Sequence, residues 1–299
     1  MKGPVIPLPT AFKENGDIDV ESMERYVSFL ADSGIKNVMT TVGTSRYNLL
    51  SPDECKSINE AVVRGSDNRL KVIVANPPYG GQQSAIDFAK HSSEIGADYF
   101  LAYFPERFYG DGFLIDFFSE VSMNSDIDIL IHEMPMRNGL GAGTVQYSIP
   151  LLEKLLKIDR LVGLKEEALD LEHSNKVVER FSSESIIIGA GGGMSRYLNR
   201  DFDLGASAYL GGIGNFEPSL ELEFFEALNS GNLTRSKEIV ETIELPYFEK
   251  VVPLGWHPSL KAALAIKGLL PSFERKPMKS LSNKEIEGLT MTLQEFGWL

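Results

Sequence analysis

The chain has 299 residues, one large domain or two at roughly 150 residues per domain, and an α/β barrel takes up about 250 by itself. At 43% hydrophobic and 24% charged residues, it excludes the disordered, collagenous and disulfide-stapled classes. With 29 basic against 42 acidic residues and a net charge of −13, it disfavours DNA, RNA and anionic membranes as partners, so any anionic small molecule needs a local concentration of positive charge.

Taken in order, short apolar or β-branched runs alternate with stretches of helical spacing. The first strand is expected over 4–8, followed by a helix over 20–33 behind Asp19. A strand over 37–42 precedes a helix over 52–64 behind Ser51. That helix holds the single cysteine, Cys55, read as buried and neutral; one cysteine forms no internal disulfide and no cysteine-rich zinc site. Then come a strand over 71–75 with a helix over 82–95, and a strand over 99–103 with a helix over 112–123. Strands over 127–131, 161–164 and 185–188 lead into helices over 149–157, 171–180 and 194–203, and the eighth strand is expected over 206–210. A helical tail follows, over 218–229, 233–251, 258–268 and 283–296. No run approaches the ~18 apolar residues of a membrane span, and the opening segment lacks a signal peptide's pattern, so a cytoplasmic protein is expected.

Eight strands alternating with helices predict parallel βαβ units closing into a (β/α)8 TIM barrel with a C-terminal helical subdomain. The expected division is a barrel carrying the active site over 1–216 and the subdomain over 217–299. The glycine turns Gly189-Ala-Gly-Gly-Gly193 and Gly211-Gly-Ile-Gly214 do not match the dinucleotide fingerprint G-x-G-x-x-G. They read either as tight turns where the backbone approaches something closely or as ordinary turns.

Barrel enzymes place their chemistry at the C-terminal ends of the strands. Those ends hold Gly43-Thr44-Ser45, Asn76, His132-Glu133, Lys165-Glu166-Glu167, Gly189 and Gly211. Lys165 has two readings. Desolvation in an enclosed mouth leaves a neutral, nucleophilic amine that attacks a ketone to form a Schiff base, whereas pairing with Glu166 or Glu167 leaves an ordinary ion pair. Thr44 and Ser45 offer hydroxyls suited to a carboxylate, or are turn residues. Arg46, Arg107, Arg137 and Arg196 fall just after strands, and one or two of them are expected to reach an anionic ligand.

At these residues the chain resembles the dihydrodipicolinate synthase / N-acetylneuraminate lyase family of class I Schiff-base aldolases, over essentially its full length. The resemblance is carried by Pro4-Val-Ile-Pro-Leu-Pro-Thr-Ala-Phe12, Gly16-Asp-Ile-Asp19, Gly43-Thr44-Ser45, Leu50-Ser-Pro-Asp-Glu54, Gly96-Ala-Asp98, Met134-Pro-Met-Arg-Asn-Gly139, Val162-Gly-Leu-Lys-Glu166, Gly205-Ala206 and Lys261-Ala-Ala-Leu264. It implies a metal-independent lyase with no cofactor, commonly a homotetramer built from dimers, with Lys165 as the Schiff-base lysine. Thr44 and Ser45 match the pair that holds the 2-oxo acid carboxylate, Leu210 a residue lining that pocket, and Arg137 an arginine that binds the second substrate.

The sequence also departs from that pattern. His132, in Ile131-His-Glu-Met-Pro135, stands where the family has a proton-transferring tyrosine. The family's second tyrosine, in a Pro-Tyr-Tyr run, is replaced by Pro105-Glu-Arg107, with Tyr109 nearby. An imidazole still shuttles protons at neutral pH, with Glu133 placed to tune it or to contact substrate. His91, His173 and His257 receive structural readings only. The function expected is a lyase or aldolase acting on pyruvate or a related 2-oxo acid and an anionic or polyhydroxylated second substrate, in a dimer or tetramer. The alternatives are a 2-keto-3-deoxy sugar acid aldolase or dehydratase, and a non-catalytic homologue that only binds 2-oxo acids.

Overall fold

The structure is a computed structural model that describes residues 1–105, 107–134, 136–138 and 143–299; of Arg137 and Asn138 only the backbone is described. Its strands are β1 (Gly3–Pro7), β2 (Asn37–Thr40), β3 (Lys71–Ala75), β4 (Tyr99–Ala102), β5 (Arg107–Phe108), β6 (Asp128–Glu133), β7 (Met136–Asn138), β8 (Thr144–Val145), β9 (Leu161–Glu166), β10 (Ile186–Gly189) and β11 (Ala208–Leu210). The helices are α1 (Val20–Asp32), α2 (Pro52–Ser66), α3 (Gln82–Glu94), α4 (Asp111–Met123), α5 (Ile149–Leu155), α6 (Leu171–Phe181), α7 (Gly193–Arg196), α8 (Pro218–Asn229), α9 (Leu233–Ile239), α10 (Leu245–Val251), α11 (Trp256–Ile266) and α12 (Asn283–Glu295).

Eight strands close in the order β1-β11-β10-β9-β6-β4-β3-β2, so the expected (β/α)8 barrel forms, with helices in the C-terminal stretch. The pattern is readable because strands covered on both faces become apolar runs rather than alternating ones. In β3, Val72, Ile73, Val74 and Ala75 are all buried. The start signals also hold. The Asp19 carboxylate accepts from the Ser22 N–H at the head of α1, and Ser51 and Glu54 form a reciprocal capping box on α2, arrangements worth about 1 kcal/mol each. Cys55 is fully buried, and burial pushes its thiol up to about 12.

The structure departs from the expected pattern in one small sheet and in two of the expected helices. β5, β7 and β8, two or three residues each, form a small separate sheet in which β7 pairs parallel to β5 and antiparallel to β8. Runs this short carry no readable period. The helix expected over 194–203 is α7 followed by a π-helical turn over Tyr197–Asp201, and the one over 233–251 is broken by a second π turn over Val240–Glu244.

The chain packs as two compact units, Met1–Val5 with Lys71–Leu210, and Ile6–Leu70 with Gly211–Leu299. In the second, the Tyr26 hydroxyl reaches the Asn215 side-chain oxygen at 2.6 Å. Arg275 donates to the Gly16 and Leu49 carbonyls and to both Glu54 carboxylate oxygens. Phe216, Tyr247, Phe296 and Trp298 stack there as an aromatic cluster. Among the described residues, no helix is long and apolar enough to cross a membrane.

Candidate active site

The candidate site lies in the first unit, at the adjoining ends of β6 and β9. One residue of β9 is skipped in their parallel register: Ile129 pairs with Leu161 but Leu130 with Gly163, after which His132 pairs with Lys165 and Glu133 with Glu166. Without that bulge His132 would lie beside Leu164 instead. A one-residue slip turns every later side chain to the opposite face, so the irregularity decides which side chains meet.

Because side chains alternate along a strand, His132 and Lys165 share one face, 4% exposed each. Lys165 Nζ lies 2.7 Å from His132 Nε2. Glu167, two residues beyond the lysine and so on the same side, accepts a hydrogen bond from Nζ and sits 2.8 Å from the same imidazole nitrogen. Nε2 thus accepts from the ammonium in one tautomer and donates to Glu167 in the other. Tyr103 packs edge-to-face on the His132 ring, with 4.4 Å between centroids, and His132 Nδ1 is buried without a partner among the described residues.

The electrostatics follow from that geometry. Burial and the Lys165 charge lower the His132 pKa to about 4 against the opposing pull of Glu167, which leaves a neutral imidazole at pH 7. For Glu167, burial favours the protonated form, but the Lys165 charge and hydrogen bonds from His132 and Lys165 outweigh it and hold the carboxyl well below its ordinary range.

The intervening residues face the other way, toward α6. Glu133, expected to serve His132 or the substrate, instead meets His173 Nε2 at 2.8 Å. Burial raises the Glu133 pKa, and the hydrogen bond to Glu133 raises that of His173. Glu166, fully buried, accepts from the Ser174 hydroxyl at 2.6 Å, from the Ala168 N–H at 2.8 Å and from the Arg196 guanidinium. Arg196 also donates to the Ala190 carbonyl, and its Nε reaches the buried Asp201 carboxylate at 2.7 Å.

This clamp accounts for the glycine turn after β10 and for the π turn after α7. A Cβ on Gly189 would lie 2.0 Å from Asp201 Oδ2, so the backbone must be bare where that carboxylate passes. Gly192, at φ +139°, occupies a region disfavoured for L side chains, and a Cβ there would meet the Arg196 Cβ at 2.8 Å. Arg196 and Asp201 are five residues apart, the spacing that a π turn brings together. Replacing Arg196 with Met should lower the unfolding free energy by about 3–5 kcal/mol, because Glu166 and Asp201 lose their shared counter-charge in the interior. Urea melts followed by circular dichroism measure the change; a loss below about 1 kcal/mol would show that Ser174, Ala168 and Arg200 satisfy the two carboxylates without it.

In the second unit Gly43–Ser45 is a 3-10 turn after β2. Ser45 is fully buried, with its hydroxyl donated to the Leu8 carbonyl at 2.6 Å and its N–H to the Val42 carbonyl at 2.9 Å. Thr44 is half-buried. Arg46 is paired with Glu274 at 3.3 Å, so Arg46 and Arg196 both answer internal carboxylates. Leu210 is half-buried at the end of β11. The side chain of Arg137, on β7, lies outside the described residues. From the sequence Glu167 enters only as a possible partner for Lys165; strand alternation, which puts residues i and i+2 on one face, is the signal that distinguishes it from Glu166.

A sequence model of the dihydrodipicolinate synthetase family matches residues 1–296. The 4-hydroxy-tetrahydrodipicolinate synthase of Methanothrix thermoacetophila is 27% identical over 286 residues, 92% of this chain and 90% of its own. A probable 5-dehydro-4-deoxyglucarate dehydratase of Bacillus licheniformis is 27% identical over 274 residues, 89% and 84% of the two chains. Among solved structures, N-acetylneuraminate lyase from Fusobacterium nucleatum complexed with pyruvate superposes with a TM-score of 0.87 at 19% identity, over 99% of this chain and 97% of that one. Dihydrodipicolinate synthase from Aquifex aeolicus gives 0.84 at 23% identity, over 100% and 99%. At these identities the two structures speak to the fold.

Proposed function

Because the chain belongs to the dihydrodipicolinate synthetase family, we propose that it is a Schiff-base-forming lyase or aldolase acting on pyruvate or a related 2-oxo acid. The observation that carries this reading is the buried contact of 2.7 Å between Lys165 Nζ and His132 Nε2. It sets an amine beside a neutral imidazole at the C-terminal ends of two adjacent barrel strands, where such enzymes keep their reacting groups.

In this reading neutral Nζ attacks C2 of the 2-oxo acid, and loss of water leaves a protonated imine. The imine draws electrons from C3, and His132 Nε2 takes the C3 proton to give an enamine that attacks, or is released from, the second substrate. His132 so replaces the tyrosine of the family motif. Thr44 and Ser45 form the carboxylate-binding turn, Thr44 by offering its hydroxyl and Ser45 by anchoring the turn. Leu210 lines the pocket and Arg137 binds the anionic or polyhydroxylated partner. A site-bearing barrel over 1–216, a helical subdomain over 217–299 and assembly as a dimer or tetramer belong to the same proposal, as does a cytoplasmic location.

The relative named a probable 5-dehydro-4-deoxyglucarate dehydratase, 27% identical, favours a second reading, in which the same imine assists loss of a hydroxyl from a deoxy sugar acid. Incubation with pyruvate and borohydride tests the shared step. An intact-mass increment of one reduced pyruvate, mapped by peptide sequencing to Lys165, is expected. An adduct on another lysine, or none with pyruvate or longer 2-oxo acids, would overturn the imine assignment.

A further inference from the structure

We propose that Glu167 is a catalytic residue of this site, the acid that delivers the proton with which the carbinolamine hydroxyl leaves as water. The inference rests on the imine reading above and adds a group that the family motif does not supply.

Four observations converge on it. Glu167 Oε2 is hydrogen-bonded to Nζ, the atom at which the new bond forms, and lies 2.8 Å from His132 Nε2. Its backbone is fixed, since its N–H donates to the Glu133 carbonyl at 3.2 Å and prolongs the β6–β9 ladder by one residue. The side chain remains 39% exposed, which leaves a path for a departing water. The neighbouring carboxylate, Glu166, has no exposed surface and is held by Ser174, Ala168 and Arg196, so it is unavailable for this work.

The proton balance closes with these groups alone. A proton passes from the Lys165 ammonium to Glu167, giving a neutral amine and a neutral acid. The Nζ lone pair forms the N–C2 bond, the carbonyl π pair moves to oxygen, and His132 carries one N–H proton to that oxygen. Glu167 then protonates the hydroxyl, the C2–O bond breaks, and the nitrogen lone pair closes the C=N bond. Of the three ammonium protons, two leave in water and one stays on the imine, while the carboxylate is restored. The Lys165 charge is the largest of the causes that lower the Glu167 pKa, ahead of the contacts with His132, so moving the first proton off the lysine itself eases the carboxyl's return to the protonated form.

The test is the rate of imine formation with pyruvate, followed by rapid mixing and quenching in borohydride and read by intact mass. Glu167→Gln should form the adduct about 10²–10⁴-fold more slowly than the wild type, the range for loss of a general acid, yet reach a similar final extent. Glu167→Ala should recover speed in proportion to added formate, which a purely structural role would not produce. A Glu167→Gln variant that forms the imine within twofold of the wild-type rate, or a Glu167→Ala variant indifferent to formate, would overturn the role of Glu167 while leaving the imine reading intact. A wild-type protein that yields no adduct overturns both.

Discussion

Lys165→Ala should reduce turnover to background and abolish the hydride-trapped adduct while leaving the barrel folded. In the proposed mechanism the amine itself forms the imine, so no neighbouring residue substitutes for its covalent bond. One rival exists by chemistry alone. Lys261, 2% exposed on α11, has its pKa lowered to about 8 by burial, a condition that favours a nucleophilic amine, but its Nζ is hydrogen-bonded to the Thr10 carbonyl. An adduct that persists in Lys165→Ala and maps to Lys261 would relocate the chemistry. The variant also has an electrostatic signature. The Lys165 charge is, after burial, the second cause that lowers the His132 pKa, so its removal should raise that pKa from about 4, with Glu167 now the nearest charge. Titration of the imidazole by NMR reads this directly; no upward movement would show that burial alone sets it.

The barrel is legible because its signals are local. Runs such as Lys71–Ala75 and caps such as Ser51 with Glu54 report their structure within a few residues. The places of Lys165 and His132 near neighbouring strand ends are legible, each one residue from the end of β9 or β6. What the sequence hides is register. Whether His132 shares a face with Lys165 and Glu167 or with Leu164 and Glu166 depends on one residue of β9, Val162, skipped in the register, and nothing in either strand alone announces it. Alternation along β9 separates Glu166 from Glu167 once Lys165 is placed inward. The glycine turn after β10 is unreadable for a different reason: Gly189 is bare because of Asp201, twelve positions later, brought back by a π turn. A requirement imposed by a distant carboxylate has no local period.

His132→Phe should lower kcat by about 10²–10⁴-fold, the usual contribution of a positioned proton carrier, while pyruvate is still trapped on Lys165. The phenyl ring preserves the edge-to-face packing on Tyr103, 4.4 Å between centroids, so loss of the nitrogen rather than loss of the fold is tested. Exchange of the pyruvate methyl protons in D2O, followed by NMR, isolates the C3 step without any knowledge of the second substrate. The pH dependence then fixes the sign of the argument. A base must be unprotonated to act, and an imidazole with its pKa lowered from 6.5 to about 4 stays unprotonated well below neutrality. The kcat/KM profile of the wild type should therefore hold level as pH falls through 6.5 and decline only toward about 4, because this profile reports groups of the free enzyme. That acid limb should vanish in the phenylalanine variant. A limb near 6.5 would mean that the imidazole is not held neutral by burial and Lys165, and a limb that survives the substitution would assign the proton transfer to another group.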